Sequence, residues 1–210
     1  LFLIRKYLSH NLPTILSTGM ADERDLENVL KIRGISNKKI IFLLCTSEYP
    51  TKHENVNILK LLSLKKKINK NHLIGFSDHT TDNISSIMAV AHGCCFFEKH
   101  FTLNNNLSGP DHWFSLNPKQ LKIWVNSINF AYNCLGNKNI IPTKKEIKNK
   151  RNFQRKILVK NFIKKGQIIK LDNLNILRSS KKNALSANKI DQVLGKVAKY
   201  NFKKGDILKV

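Results

Sequence analysis

Leu73-Ile74-Gly75-Phe76-Ser77-Asp78-His79-Thr80 is an apolar run that passes without a break into polar, chemically capable side chains. The same transition recurs along the chain. Pro13-Thr14-Ile15-Leu16 leads into Ser17-Thr18-Gly19-Met20, and Ile40-Ile41-Phe42-Leu43-Leu44 into Cys45-Thr46-Ser47-Glu48-Tyr49-Pro50. Cys94-Cys95-Phe96-Phe97 leads into Glu98-Lys99-His100-Phe101-Thr102. Continuous apolar runs of this length suit strands buried on both faces, as in a parallel sheet. Between them the period turns helical. Leu26, Val29 and Leu30 share a face behind the acidic start at Ala21-Asp22-Glu23; Ile84, Ile87, Met88 and Ala91 share another, with Gly93 as the stop. Asn117-Pro118 with Gln120 reads as a capping box opening a helix whose stripe is Leu121, Trp124, Val125, Ile128, Ala131 and Tyr132. Strand, loop and helix repeated in this way make an α/β architecture, a barrel or a doubly wound sheet. A whole (β/α)8 barrel takes about 250 residues. The four repeats therefore predict its C-terminal half, with the other half expected upstream of Leu1.

The composition fits a packed protein. The chain has 210 residues, 41% hydrophobic and 24% charged, which excludes disordered, collagen-like and disulfide-scaffold classes. No run approaches the ~18 apolar residues of a membrane span. Leu1-Phe2-Leu3-Ile4, followed at once by Arg5 and Lys6, is too short for a signal-peptide core, and the absence of a starting methionine predicts a missing beginning. Cys45, Cys94, Cys95 and Cys134 show no pairing framework, which predicts free thiols in a reducing, cytoplasmic setting. The net charge of +23 is spread along the chain in lysine pairs and triplets, from Lys65-Lys66-Lys67 to Lys203-Lys204. With no arginine cluster or stacking-aromatic signature, it predicts weak polyanion stickiness and no specific nucleic-acid partner.

From about Lys144 the character shifts. The expected organisation is a partial barrel over residues 1–143, a basic connection over 144–155 and a small, mostly β domain over 156–210. Asn161-Phe162-Ile163-Lys164-Lys165-Gly166-Gln167-Ile168 is echoed 40 positions later, starting from Asn201-Phe202 and passing through Lys203-Lys204-Gly205-Asp206-Ile207. In each copy Lys-Lys-Gly fits a turn.

The sharpest chemical pair is His79 and His100, each closing a predicted neighbouring strand. Adjacent strands lie about 4.8 Å apart, so imidazoles at equivalent ends can share one ligand. Two neutral imidazoles completed by oxygen donors suit a divalent transition ion. Ser17, Thr18 and Gly19 open a helix while Ser47 and Ser77 end strands, a setting that favours phosphate or carboxylate as readily as simple capping. Glu98 adjoins His100 and can tune its surroundings. Asp111 lies in the turn Ser108-Gly109-Pro110-Asp111-His112, and Arg178 follows an apolar strand in the small domain; both positions are ordinarily structural or solvent-facing.

Taken in order, Leu16-Ser17-Thr18-Gly19-Met20, Cys45-Thr46-Ser47-Glu48-Tyr49-Pro50, Phe76-Ser77-Asp78-His79-Thr80, Phe97-Glu98-Lys99-His100-Phe101-Thr102 and Gly109-Pro110-Asp111-His112 closely resemble the sialic acid (N-acetylneuraminate) synthase family, including its legionaminic and pseudaminic acid synthase relatives. The tail resembles the antifreeze-like (SAF) domain of those enzymes. The resemblance implies condensation of phosphoenolpyruvate with an N-acetylated amino sugar, N-acetylmannosamine or a related hexosamine, to a nine-carbon 2-keto acid with release of phosphate. It implies a divalent cation, Mn2+ or Mg2+, on His79 and His100, and Glu98 as a carboxylate near it. It also implies that Ser17, Ser47 and Ser77 hold phosphoenolpyruvate and that Tyr49 and Asp111 contact the sugar. Arg178 would reach the partner's site in a domain-swapped homodimer. Relatives usually follow that arginine with Pro-Gly, where this chain has Ser179-Ser180. The competing expectation is an inactive remnant serving as a binding or assembly module, since the family's phosphate-gripping lysines lie in its N-terminal half.

Overall fold

The computed structural model describes residues 1–10 and 12–209, the side chain of Arg151 excepted, and divides into two units, Leu1–Asn137 and Lys138–Val210. In the first, β1 (Thr14–Ser17), β2 (Ile40–Cys45), β3 (Leu73–Asp78) and β4 (Phe96–Lys99) pair in chain order, every pairing parallel. Around them run α1 (Phe2–Ser9), α2 (Glu23–Leu30), α3 (His53–Val56), α4 (Lys60–Lys67), α5 (Ile84–Ala91) and α6 (Pro118–Leu135). Each parallel pair is joined through at least one helix, which is the repeating unit of a (β/α)8 barrel, and four such units make half of one.

The capping signals act where the residues place them. Asn117 Oδ1 accepts from Gln120 N at 3.1 Å while Gln120 Oε1 accepts from Asn117 N at 2.9 Å. Asp22 and Asp25 form the same reciprocal pair at the start of α2. β4 begins two residues later than its apolar run, leaving Cys94 and Cys95 outside it.

Strand alternation divides the sheet. Leu16, Phe42, Leu44, Ile74, Phe76 and Phe97 belong to the apolar core together with helix residues such as Val29, Leu61, Leu64 and Ala89. Burying each large side chain of this kind contributes about 1.5–3 kcal/mol. The alternate positions, Ser17, Leu43, Cys45, Gly75, Ser77 and Glu98, take the other face. Gly75 is required there, because a Cβ would sit 2.5 Å from both Leu43 Cδ2 and Phe96 O.

Helix α5 departs from its apolar periodicity. Ser85, Ser86, Ala89 and Val90 are the buried positions, while Ile84, Ile87 and Met88 are exposed. The reason is a polar partner: Ser86 Oγ donates to the buried Asp78 carboxylate at 2.6 Å, a bond that Ile87 could not make. On α6 the stripe is covered at Trp124, whereas Val125 and Tyr132 are exposed.

In the second unit, residues 144–155 are mostly helical: α7 (Lys144–Phe153) is capped by the Thr143–Glu146 pair. β5 (Arg155–Val159) and β6 (Leu174–Arg178) form an antiparallel ladder over a core that includes Ile157, Val159, Ile163, Val193 and Phe202. The echoed segments meet. Ile163 N donates to Phe202 O at 3.0 Å and Phe202 N to Ile163 O at 2.9 Å. Gln167 accepts from Lys164 N as Asp206 accepts from Lys203 N, so the equivalent turns stand 39 apart (203 − 164), one fewer than the sequence alignment. Gly166 and Gly205 hold φ of 86° and 83°, the left-handed region both turns need. Among the described residues no helix is long and apolar enough to cross a membrane.

Candidate active site

The register of the parallel ladder builds the site. Cys45 stands opposite Ser77, and Ser77 opposite Glu98, so three polar side chains line up across the C-terminal ends of β2, β3 and β4. Two residues further on, past the ends of the strands, stand Ser47, His79 and His100. The His79 and His100 rings lie 5.1 Å apart, centroid to centroid, at 73°.

His79 is fixed by its backbone surroundings. Nδ1 lies 2.8 Å from Thr46 O and donates to it, which in the neutral ring makes Nε2 the accepting nitrogen, 3.4 Å from Ser77 Oγ. Burial opposes a charge on this ring, but the Cys45 thiol and the Thr46 carbonyl outweigh it and hold His79 above the usual histidine range. Cys45 responds in the other direction. Burial alone would raise its thiol, yet His79, Ser17 and Ser77 hydrogen-bond to it and bring it down to about 7. His100 is pushed below the histidine range by burial and then by the nearby His79.

The remaining candidates of the first unit surround this pair. Ser77 Oγ donates to Glu98 Oε1 at 2.7 Å. Ser17 Oγ accepts from Gly19 N at 3.3 Å, and a Cβ on Gly19 would meet Ser47 Oγ at 2.5 Å, so the ends of β1 and β2 are in close contact. A cleft of about 640 Å³ opens beside them, bounded by Thr18, Met20, Cys45, Ser47 and Lys60. The Tyr49 ring packs 4.3 Å from His79 and 5.5 Å from His100. Asp111 Oδ2 lies 3.9 Å from His100 Nδ1. Arg178 belongs to the second unit, exposed at the end of β6 opposite Arg155. The other histidines have separate roles: His72 is buried edge-on to Phe42, His53 pairs with Asp82 at 2.5 Å, and His112 Nδ1 lies 2.7 Å from Thr102 Oγ1.

Phe114 packs 5.0 Å from His100. Two features were not singled out from the residues alone: Cys45 sits among the serines and His79, and Asp78 pairs with Lys99 Nζ at 3.2 Å on the opposite face of the same strand ends. The parity of the strands was the available signal, since Cys45 lies two residues before Ser47, and Asp78 and Lys99 each precede a histidine.

Residues 1–140 match the NeuB family and residues 157–209 the SAF domain. The chain belongs to the NeuB family. It is 37% identical over 209 residues to the N,N'-diacetyllegionaminic acid synthase of Campylobacter jejuni, covering 98% of this chain and 61% of that protein. It is 36% identical over 207 residues to a pseudaminic acid synthase of the same species, covering 98% and 59%. The human N-acetylneuraminate-9-phosphate synthase is 32% identical over 166 residues, 78% of this chain and 45% of that protein. The chain thus spans about three fifths of the length of its first bacterial relatives. Among solved structures, the N-acetylneuraminic acid synthetase of Leptospira borgpetersenii, in complex with citrate, is similar at TM-score 0.63 and 30% identity, over 71% of this chain and 53% of that one. The spore coat polysaccharide biosynthesis protein E of Chromobacterium violaceum shares the fold at TM-score 0.70 and 23% identity, over 98% and 62%. The NeuB-family region is thus followed in the same chain by an SAF domain.

Proposed function

We propose that the histidine-centred mouth serves the condensation of phosphoenolpyruvate with an N-acetylated amino sugar, N-acetylmannosamine or a related hexosamine, in the cytoplasm. A bond forms between C3 of phosphoenolpyruvate and the aldehyde carbon of the open-chain sugar. Water adds oxygen at C2, and the C2–O bond to phosphate breaks. The products are a nine-carbon 2-keto acid and inorganic phosphate.

The observation that carries this reading is the 5.1 Å approach of His79 and His100 beside Ser77 and Glu98, in a chain of this family. Metal–nitrogen bonds of about 2.1 Å bring two ligating rings to a separation of this order. Among the described residues no three His, Cys, Asp or Glu side chains form a ready-made cage, so the protein offers two nitrogens and leaves positions for water and substrate oxygens. Two imidazole nitrogens completed by oxygen donors fit Mn2+ on His79 and His100 better than Mg2+, which prefers oxygen ligands throughout. When bound, the ion supplies Lewis-acid polarisation of the sugar aldehyde.

The other side chains bind and orient. Ser17 and Ser47 stand together at the ends of β1 and β2, where their hydroxyls would meet a phosphate or carboxylate oxygen. Ser77 donates a hydrogen bond to Glu98, which would hold that carboxylate near the proposed cation. Thr46 O holds His79 in the tautomer that makes Nε2 the accepting nitrogen. Tyr49 closes one wall against both imidazoles, and Asp111 is exposed enough to accept from a sugar hydroxyl. In a domain-swapped homodimer, Arg178 would reach the sugar in the partner's site.

The test is turnover. The chain, alone and combined with the complementary barrel segment of a relative, is incubated with phosphoenolpyruvate, Mn2+ and each N-acetylated hexosamine. A nine-carbon keto acid found by mass spectrometry, equimolar with phosphate, supports the reading. No product in any combination, beside a relative's intact enzyme that turns over, overturns it.

A further inference from the structure

The β3–β4 ladder ends at Asp78 opposite Lys99, one residue short of the two histidines. Beyond that point the backbones part. The His79 carbonyl is taken by Thr51 N and the His100 carbonyl by Leu116 N, so each histidine is tethered to a different loop. Side chains on the far face of the sheet bridge the gap. Lys99 Nζ lies 3.2 Å from Asp78 Oδ1 and also donates to Thr80 O. A single ammonium on the residue before His100 thus holds the residues on both sides of His79.

That clamp is deep inside the protein, with 3% of the Lys99 side chain and none of the Asp78 side chain exposed. The Asp78 carboxylate is further fixed by Thr80 N and Thr80 Oγ1 at 2.9 and 2.8 Å, by Ser86 Oγ at 2.6 Å and by Trp124 Nε1 at 3.4 Å. Its anchors therefore come from β4, α5 and α6 at once. Stability alone does not call for such an arrangement, because a well-packed apolar pair often serves a core as well as a buried ion pair. Helix α5 even buries Ser86 toward Asp78 while Ile84, Ile87 and Met88 stay exposed.

We propose that the buried Asp78–Lys99 pair is a positioning device that fixes the His79 and His100 rings against one another, holding them ready for a shared cation. The inference rests on the metal reading given above for those two histidines. Lys99 and Asp78 touch neither cation nor substrate. They act through the residues next to them, as outer-shell partners of metal ligands commonly do.

The experiment has two readouts, only one of which involves metal. Ring-proton cross-peaks between His79 and His100 are recorded by nuclear magnetic resonance on the metal-free chain, and Mn2+ affinity is measured by titration. The proteins are the parent, Lys99→Met, Lys99→Arg, the double variant Asp78→Asn/Lys99→Met and the control His79→Ala/His100→Ala. Lys99→Met strands a buried carboxylate, so the double variant, which strands no charge, is read if the single one fails to fold. The expected result is loss of the ring cross-peaks and about a tenfold or greater weakening of Mn2+ binding in folded variants, with partial recovery in Lys99→Arg. Cross-peaks retained in folded Lys99→Met or the double variant, with affinity within twofold of the parent, overturn the proposal. If the parent's Mn2+ binding is absent or survives in the control, the metal reading fails instead, and the ring cross-peaks alone decide whether the clamp positions the rings.

Discussion

Trp124 Nε1 donates to Ser86 Oγ at 2.9 Å, and that hydroxyl passes its own proton to the Asp78 carboxylate, so a tryptophan of α6 reaches the end of β3 through a serine of α5. Replacing Trp124 with Phe keeps most of the ring and deletes the donor. A buried acceptor left without its donor costs about 1–3 kcal/mol. The urea midpoint should fall accordingly, with the slope of the transition unchanged.

At Gly75 the constraint is space. A methyl group there would press on Leu43 Cδ2 and on the Phe96 carbonyl, and a backbone atom cannot rotate away. Gly75→Ala should destabilise the protein by about 1–3 kcal/mol. The displaced strand is the one that leads into His100, so the proposed metal site predicts weaker Mn2+ binding as well, read by titration at a temperature where the variant remains folded.

The cysteines should separate by reactivity. Cys45, held at about 7 by His79, Ser17 and Ser77 against the effect of burial, carries thiolate at neutral pH. Cys94 is buried, and burial raises its thiol to about 12. In iodoacetamide labelling followed by peptide mass spectrometry, the Cys45 rate should rise around pH 7 instead of near the usual thiol value of 9.0, and Cys94 should label only on unfolding.

Asp82 gives a stability change at acidic pH. Burial works against its charge, but Ile84 N at 2.7 Å and His53 together hold the carboxyl below its ordinary value of 3.8. A depressed folded-state value means stability that is present above the unfolded value and is lost as pH falls through the folded one. Urea midpoints compared at pH 6 and at successively lower pH below 3.8 should therefore decline more steeply for the parent than for Asp82→Asn.

The half-barrel was legible because buried parallel strands leave uninterrupted apolar runs, and Asn117 with Gln120 announced α6 through capping chemistry that is wholly local. What the residues could not reveal is which face of α5 turns inward. Periodicity weighs Ile84, Ile87 and Met88 as core, but a carboxylate 8 positions away in the chain claims Ser86. The histidine pair was legible from spacing alone; Cys45 and the Asp78–Lys99 pair become visible only when the strand register is known. In the small unit the echoed turns were apparent, while the pairing of the two copies through Ile163 and Phe202 had to await the backbone bonds.

The alternation of β3 and β4 makes the length of each strand end intolerant of change. Adding or deleting one residue between Phe76 and Asp78 would turn the Asp78 carboxylate out of the interior and displace His79 with it, disturbing the site and the packing in a single event. The spacing of those few positions therefore has no latitude.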